Sequence, residues 1–325
     1  MSKTGTNGNV APDNDLNKEI KMKNYLQKFV LATALTTCAG TALAEIPNTF
    51  TAGTPAKADE VNENFAYIEE RLNSGLQTEF TADCDADRSN LTTVLENLPQ
   101  TKSTVHVNGT CNLGTGVVLT NKDVHIIGAD GTVIRGAGSI SEAMFLIRER
   151  TTLEIENLEI SNASGNVNLF AAFGNSIANL ENIRFVGSIE KGLQTAIMVL
   201  GGSVVNMSNI DVTGVTYGLA VFGAAKAWLE GDANRISASG TSGLREVPSA
   251  ALFVSENSFV DAENTVFEGV MAVLDNSTFK LNNGILNGSA MVVRRSSVVE
   301  LADNVTINTV ISAEDFSTVY GSSVQ

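Results

Sequence analysis

The chain has 325 residues, of which 43% are hydrophobic but only 6% aromatic, with 28 glycines and a single tryptophan. This composition suits one solenoid-like domain of small and β-branched side chains better than a large globular core. Its 36 acidic and 21 basic residues give a formal net charge of −15, which argues against nucleic acid and anionic membrane surfaces as partners.

A bacterial secretory signal peptide is predicted within residues 1–44. Basic residues up to Lys28 precede an apolar run over residues 29–35, and Ala-Leu-Ala at 42–44 has the small-x-small pattern of a signal-peptidase site. The apolar run is too short to cross a membrane, so no membrane span is expected. We therefore expect a secreted or cell-surface protein, with the periplasm as the alternative location.

Two features of this leader stay open. Met22 would start a signal peptide of ordinary length, so residues 1–21 are either an over-extended start or an unusual n-region. Cys38 follows Leu-Thr-Thr, which resembles a bacterial lipobox. Thr stands where a smaller residue normally precedes the cysteine, so release after Ala44 is the preferred interpretation over lipidation.

Residues 45–78 are predicted to be a turn-rich segment followed by a short helical stalk. Thr54 and Pro55 suit a helix start, and the next apolar residues are spaced four, three and four apart, as in a two-heptad seam. The pattern F-x-x-G-T-x-x-x-A-x-x-V-N from Phe50 resembles segments ahead of repeat regions in exported, fibre-like bacterial and phage proteins. It implies a homotrimer through residues 57–73; packing of the helix on the repeats is an equal alternative. The seam residues are Val61, Phe65, Ile68 and Leu72.

A disulfide-tied N-terminal cap is predicted over residues 79–112. Without the leader only Cys84 and Cys111 remain, and an even pair in an oxidising compartment predicts one disulfide. Residues 87–98 have helical leucine spacing, and a strand pattern begins at Thr104. A disulfide-linked amphipathic helix followed by a strand resembles the N-terminal cap of secreted β-helix proteins.

The remaining residues, 113–325, contain eight copies of one motif at spacings of 19 to 33 residues. Periods near twenty are typical of stacked coils. Each copy begins at an anchor, usually small, and six positions later has a turn-forming residue. The anchors are Thr151, Ser176, Ser203, Ala225, Ser258, Ser277, Ser297 and Ser317. The turn residues are Asn157, Asn182, Asn209, Gly231, Asn264, Asn283, Asp303 and Ser323.

Positions two and four after each anchor are mostly apolar, and the position between them is mostly polar, which is the alternation of a strand with one buried face. Further apolar runs before the next anchor predict about three strands per coil. The outward third-position column contains Glu154, Asn179, Asn206, Trp228, Asp261, Lys280, Glu300 and Tyr320. The first-position column is unusually apolar and predicts a lateral interface; it contains Thr152, Ile177, Val204, Lys226, Phe259, Thr278, Val298 and Thr318.

Short strands separated by turns, an irregular period and an Asn at a fixed turn resemble the right-handed parallel β-helix of the pectin-lyase-like superfamily. The resemblance covers residues 80–325 and implies an all-β solenoid in which the turn Asn residues stack as an internal ladder. The resemblance predicts the fold, with an antiparallel sandwich as the alternative, and it hardly constrains the activity.

Enzymes on this fold place carboxylates and basic residues on the outer face of one sheet. Lys280 lies between Asp261 and Glu300 in the third-position column. A polysaccharide lyase would use Lys280 or Arg294 to abstract the proton beside a uronate carboxyl group, with calcium neutralising that group. The calcium candidates are Glu230, Asp261 and Glu263, and no other cofactor is expected.

Other catalytic signatures of the fold are missing. Polygalacturonase-like sequences carry Asn-Thr-Asp, Asp-Asp and Gly-His-Gly elements, and pectin methylesterases carry local Asp and Arg motifs; none of these is found. His106 and His125, the only histidines, fall on outward strand positions near the cap, where solvated side chains are expected.

Binding has more support than catalysis, because two aromatic residues project outward where they could stack on a sugar ring. The residues predicted to bind are Trp228, Tyr320, Asn179, Asn206 and Glu230. Alternatively, Trp228 packs under the loop of residues 237–248, which contains Arg245 and Glu246 and makes the longest repeat. The preferred function is an exported, non-catalytic protein that binds carbohydrate or a cell-surface partner; a polysaccharide lyase or hydrolase acting on acidic glycans is the alternative.

Overall fold

The computed structural model describes residues 48, 57–76, 78–138, 140–162, 167–188, 194–239 and 249–321. The chain divides into two compact units, Met1–Arg71 and Leu72–Gln325. Several predicted features lie outside the described residues: the leader of residues 1–44, the helix start at Thr54 and Pro55, the loop residues 240–248 with Arg245 and Glu246, and the turn residue Ser323.

The first helix, α1 (Ala58–Leu76), extends past the predicted end near residue 73. Asn48 is joined to this helix by a pair of hydrogen bonds, since its N–H donates to Asn64 Oδ1 (2.9 Å) and Asn64 Nδ2 donates to its carbonyl (2.8 Å). Asn64 is therefore buried although it is polar. Phe65 of the predicted seam is 66% exposed, and self-association through this helix stays a prediction.

The rest of the described chain is built almost entirely of short strands. In chain order they are β1 (Glu79–Asp83), β2 (Ser103–Asn108), β3 (Thr110–Leu113), β4 (Val117–Thr120), β5 (Asp123–Gly128), β6 (Val133–Gly136), β7 (Ala143–Arg148), β8 (Thr152–Asn162), β9 (Asn168–Ala172), β10 (Ile177–Val186), β11 (Thr195–Val199), β12 (Val204–Ser208), β13 (Asp211–Val215), β14 (Tyr217–Val221), β15 (Lys226–Glu230), β16 (Asn234–Ala238), β17 (Ala250–Val254), β18 (Phe259–Glu263), β19 (Thr265–Glu268), β20 (Met271–Val273), β21 (Thr278–Asn282), β22 (Ile285–Asn287), β23 (Met291–Val293), β24 (Val298–Leu301), β25 (Thr306–Asn308), β26 (Ile311–Ala313) and β27 (Thr318–Tyr320).

These strands form three ladders of parallel pairs, and each complete coil adds one strand to every ladder. The first ladder contains β1, β2, β5, the start of β8, the start of β10, β12, β15, β18, β21, β24 and β27. The second contains β3, β6, the ends of β8 and β10, β13, β16, β19, β22 and β25. The third contains β4, β7, β9, β11, β14, β17, β20, β23 and β26. The chain is therefore a β-helix-like solenoid of stacked parallel sheets, as the repeats predict.

The core lies between the ladders and is filled by the columns that the alternation marks as inward. Position two supplies Leu153, Ala178, Val205, Ala227, Val260, Phe279 and Val299, all fully buried. Position four supplies Ile155, Leu180, Met207, Leu229, Ala262, Leu281 and Leu301, at most 4% exposed. Because successive coils stack about 4.8 Å apart, each inward side chain packs on its equivalents above and below.

The buried anchors are Ser or Thr in most coils because their hydroxyl groups serve the backbone. Ser203 Oγ accepts a hydrogen bond from the Ser176 N–H (3.2 Å) of the preceding coil, and Ser297 Oγ does the same for Ser277 (3.3 Å). These N–H groups have no ladder partner at the corner, so the hydroxyl satisfies a donor that would otherwise be buried and unpaired.

The corner after the first ladder is a left-handed turn, as the Asn residues predict. Asn182 (φ 53°) and Asn209 (φ 55°) have positive φ, and each donates its side-chain amide to the Asn of the preceding coil over 3.0 Å. Both hydrogen bonds lie at the exposed surface, so this Asn ladder runs along the outside of the solenoid rather than inside it. Asp303, the predicted turn residue of the next-to-last coil, is not among the residues with positive φ.

The corner before each anchor holds two consecutive residues with positive φ, which the sequence does not reveal. Examples are Glu149 (φ 53°) with Arg150 (φ 63°), and Arg295 (φ 58°) with Ser296 (φ 60°). A main-chain bond such as the one from the Ser296 N–H to the Asp315 carbonyl (3.0 Å) ties this turn to the next coil. Gly, Asn and Asp at other copies of this corner suit positive φ, whereas in these two examples stacking imposes the conformation on residue types that do not prefer it.

The third ladder is apolar on both faces. Its inward residues join the main core, whereas Leu146 and Phe253 belong to separate clusters and are still buried. Tyr217 and Phe222 pack their rings 6.3 Å and 5.1 Å from that of Phe253. Continuous apolar strands of this kind are typical of parallel sheets covered on both sides.

The second helix, α2 (Asn90–Glu96), is shorter than the predicted helix over residues 87–98. Ser89 donates its N–H and hydroxyl to Asp87 Oδ1, and these bonds lower the pKa of Asp87 and hold residues 87–89 in a turn. The helix buries Leu91 and Leu95 and lies against β1, β3 and β4. Among the described residues, neither helix has the length and apolar character needed to cross a membrane.

The predicted disulfide between Cys84 and Cys111 is confirmed and joins residues 27 apart in the sequence. Both sulfurs are buried beside the helix α2, and Cys111 lies in β3. The bond therefore closes the segment that contains α2 and β2 onto the beginning of the second ladder.

Candidate functional site

The outer face of the first ladder presents three outward columns, at positions one, three and five after each anchor. Parallel register sets equivalent residues side by side, so Asn179, Asn206 and Trp228 are neighbours on three successive coils. One column further along each strand, Glu181, Ser208 and Glu230 are neighbours in the same way. Each step is about 4.8 Å, which lets one ligand touch several coils.

A groove of about 260 Å³ opens on this face, across β10, β12 and β15. It exists because the middle of the fifth-position column is occupied by a short side chain, Ser208, between two longer glutamates. Gly231 deepens it at the corner, where φ is 92° and a Cβ atom would lie 2.5 Å from Ser208 Oγ. The lining residues are Asn179, Leu180, Glu181, Asn206, Met207, Ser208, Glu230 and Gly231.

The two amides of the groove are oriented by hydrogen bonds along the column. Asn206 Nδ2 donates to Asn179 Oδ1 (2.8 Å), and Asn179 Nδ2 donates to Glu154 Oε1 (3.4 Å). This chain leaves the Asn206 amide oxygen at its end with no partner among the described residues. An oriented amide oxygen on an exposed side chain is suited to accept a hydrogen bond from a ligand hydroxyl group.

Trp228 follows Asn206 in the same column and is half-buried. Its ring lies 6.1 Å from the ring of Phe259, a first-position residue of the next coil, at an interplanar angle of 57°. Ile177, which is 43% exposed, and Val204 continue the first-position column beside the amides. The first-position column beside the groove is therefore apolar except at Lys226, and the single tryptophan of the chain continues the column of the amides.

Two carboxylates line the groove, and no described basic side chain neutralises their negative charge. Glu181 and Glu230 are exposed, and neither side chain has a hydrogen-bond or ion-pair partner among the described residues. By contrast, Glu156 in the same column is paired with His125 Nε2 over 2.9 Å. No Lys or Arg lines the groove, so its electrostatic potential is negative.

The residues predicted for a lyase are only partly brought together. Asp261, Lys280 and Glu300 are neighbours in the third-position column, and Lys280 Nζ pairs with Glu300 Oε2 over 2.7 Å. The hydrogen bond to Glu300 raises the pKa of Lys280, which opposes its use as a base. Arg294 follows β23 of the third ladder and pairs with Glu314 (3.0 Å), so it does not share a site with Lys280.

The other predicted residues are dispersed. Tyr320 is 57% exposed in β27, four coils beyond Trp228 in the same column, and does not join the groove. Of the calcium candidates, Glu230 lines the groove, whereas Asp261 and Glu263 lie on β18, the next strand of the ladder. No cluster of three or more metal-binding side chains occurs among the described residues.

Two more predictions concern this face. His106 and His125 point outward as expected, and His106 Nε2 contacts Glu79 Oε2 over 2.9 Å. Packing of Trp228 under the loop of residues 237–248 involves the stretch 240–248, outside the described residues; within the described part, the ring contact of Trp228 is with Phe259.

Sequence reasoning identified Asn179, Asn206 and Glu230 as binding residues but missed Glu181, Ser208 and Gly231. The signal was available in part, because Glu181 belongs to an acidic fifth-position column. The groove itself depends on a short residue lying between two long ones on adjacent coils, which only the register shows.

The fold and the site together define the class of protein: a β-helix-like solenoid of parallel strands with a polar groove on one outer face. The sequence matches no protein-family model and no curated protein. It is similar to a solved structure described as "Geobacillus virus E2 - ORF18", with 10% identity and a TM-score of 0.33. The match covers 84% of this chain and 66% of that chain, slightly less than two thirds of its length, and a likeness at this level carries no argument.

Proposed function

We propose that this chain is an exported, non-catalytic right-handed β-helix protein of the pectin-lyase-like type that binds a glycan. The observation that carries the proposal is the groove on the first ladder, which is lined by oriented amides and carboxylates and has Trp228 next to Asn206 on the following coil. Sugar rings are recognised by this combination, because an aromatic face covers their C–H groups and polar side chains bind their hydroxyl groups.

Export is supported by the signal-peptide pattern of the leader and by the Cys84–Cys111 disulfide, since such bonds persist in oxidising compartments. We interpret α2 with this disulfide as a cap that shields the first coil, because an open solenoid end exposes unpaired backbone groups. The destination would then be the cell surface or the medium, with the periplasm as the alternative.

A lyase acting on acidic glycans is the competing function, supported by the Asp261, Lys280 and Glu300 column. A lysine that acts as a base needs a lowered pKa, whereas the Glu300 ion pair raises that of Lys280. Calcium would be required to neutralise both the uronate and the acidic face. The two functions make opposite predictions about cleavage.

Because Trp228 is the only tryptophan and lies beside the groove, on the same strand as Glu230, its fluorescence should respond to a ligand bound there. The purified chain is titrated with neutral, acidic and amino-sugar oligosaccharides, with and without calcium, while the release of reducing ends is measured. At least one glycan should change the fluorescence, and none should be cut. The Trp228→Ala variant has no tryptophan, so its binding is measured by calorimetry. It should bind about tenfold more weakly, as expected for the loss of a ring contact worth about 1–1.5 kcal/mol.

Tyr320→Ala is the matched control, since it removes an outward aromatic residue from the same column but outside the groove. Its affinity should equal that of the unmodified chain. If reducing ends are released and Lys280→Ala abolishes the release, the proposed function is wrong and the protein is an enzyme. If no glycan changes the fluorescence of Trp228, glycan binding at the groove is refuted.

A further inference from the structure

The charge of the groove narrows the kind of glycan that it can accept. Glu181 and Glu230 lie two coils apart on either side of Ser208, about 9–10 Å from each other along the ladder. Both side chains are exposed and unpaired among the described residues, whereas several other acidic groups on the outer faces have partners. Examples of such partners are His125 for Glu156 and Arg184 for Glu159.

The basic side chain nearest in register does not neutralise Glu181 and Glu230. Lys226 is at the other end of β15, in the first-position column, and three residues separate it from Glu230. The nearest ion pairs on neighbouring coils, Arg184 with Glu159 and Arg235 with Glu268, belong to the second ladder. A glycan with carboxylate or sulfate groups would therefore meet two like charges in the groove of a protein whose net charge is −15.

The three columns also order the ligand across the face. The first-position column, with Phe259, lies on one side, and the carboxylates lie on the other side. The third-position column between them holds Asn179, Asn206 and Trp228 on successive coils. A sugar whose ring stacks on the tryptophan would direct hydroxyl groups to the amides and its far substituent to the carboxylates. An ammonium group is the substituent that a pair of unpaired carboxylates binds best.

We infer that the groove binds a glycan that contains free amino groups, that is, a polymer of unacetylated or partly deacetylated amino sugar. This inference rests on the proposed glycan-binding function and specifies its ligand. Glu181 and Glu230 bind ammonium groups of the glycan, Asn206 accepts a hydrogen bond from a hydroxyl group, and Trp228 covers a ring face.

The test uses Trp228 fluorescence of the full chain with three probes: oligomers of glucosamine, of N-acetylglucosamine and of galacturonic acid, at a pH where the amines are protonated. The glucosamine oligomer should bind at least about tenfold more tightly than the acetylated one, and salt should reduce this preference. The double variant Glu181→Gln with Glu230→Gln should lose it, by about two- to fivefold for each exposed carboxylate.

The control variant, Glu96→Gln with Glu256→Gln, removes the same two charges from exposed positions outside the groove and should keep the preference. If the control also loses the preference, the effect is one of net charge and the inference fails. It fails as well if a lysine-rich peptide binds as tightly as the glucosamine oligomer, because the groove would then recognise a basic peptide.

The two levels of the proposal fail differently. If acetylated and free oligomers bind equally and Trp228→Ala, followed by calorimetry, weakens both, glycan binding stands and the amino-sugar preference is overturned. If no oligomer changes the fluorescence, the glycan-binding function itself is refuted.

Discussion

Replacing Asn182 by alanine or by glycine separates two contributions to the exposed turn of each coil. Asn182 has φ 53°, donates to Asn157 Oδ1 and accepts from Asn209 Nδ2, both over 3.0 Å. Either substitution removes both hydrogen bonds, and since they lie at the surface we expect a loss of about 0.5 kcal/mol each. Only alanine also meets the steric cost of a left-handed residue, about 1 kcal/mol.

Asn182→Ala should therefore lower the free energy of unfolding by about 2 kcal/mol and Asn182→Gly by about 1 kcal/mol or less. Guanidinium unfolding followed by circular dichroism gives the ranking, and hydrogen exchange in β8, β10 and β12 locates the change, because a solenoid need not unfold in one step. Asn282→Ala is the control: Asn282 is exposed on a strand, with no side-chain bond among the described residues, and its loss should cost less than about 0.5 kcal/mol.

Two results would refute this reasoning. If glycine destabilises the chain as much as alanine, the left-handed conformation is not a source of the effect. If both variants are as stable as the Asn282 control, the external Asn ladder contributes nothing to stability.

Two further predictions concern the disulfide and the corner at Asp275. Replacing Cys84 and Cys111 together by serine should lower the free energy of unfolding by about 3.5 kcal/mol, because the disulfide closes a loop between residues 27 apart and so reduces the entropy of the unfolded chain. Unfolding with and without reductant measures this loss, and equal midpoints would contradict the prediction. At Asp275, burial raises the pKa, but the hydrogen bonds from Ser255 and Arg295 outweigh burial, so the pKa is lowered in the folded state. The ionised carboxylate therefore stabilises the fold at a pH above the pKa of the unfolded chain, and this stability is lost as the pH falls through the lower pKa of the folded state. Asp275→Asn should therefore cost about 1 kcal/mol at pH 7, and unfolding as a function of pH should show this difference closing below about pH 4; a pH-independent difference would contradict it.

The strands and one of the corners could be predicted because local chemistry and stacking agree there. Period-two alternation identified inward residues such as Val205 and Phe279, and Asn tolerates the left-handed turn at Asn182. The other corner has no constant residue type: some copies hold Gly, Asn or Asp, but Arg295 and Ser296 do not prefer positive φ and adopt it through bonds to the coils beside them, so the corner was not predicted.

The candidate site was predictable as columns but not as a groove. Counting from the anchors places Asn206 beside Trp228, since both are third-position residues. The hollow depends on Ser208 lying between Glu181 and Glu230, and on Gly231 having no side chain beside Ser208. Such a shape belongs to three coils together, and no single copy of the repeat contains it.

The anchor hydroxyls that bond each coil to its neighbour make the coil a unit that can be copied. Ser277, Ser297 and Ser317 repeat the same contact at intervals of 20 residues. Duplication of one such stretch would add one rung to every ladder and lengthen the outer face by about 4.8 Å without disturbing the rungs on either side. The length of the outer face can therefore change by whole steps through duplication, while its chemistry changes one side chain at a time.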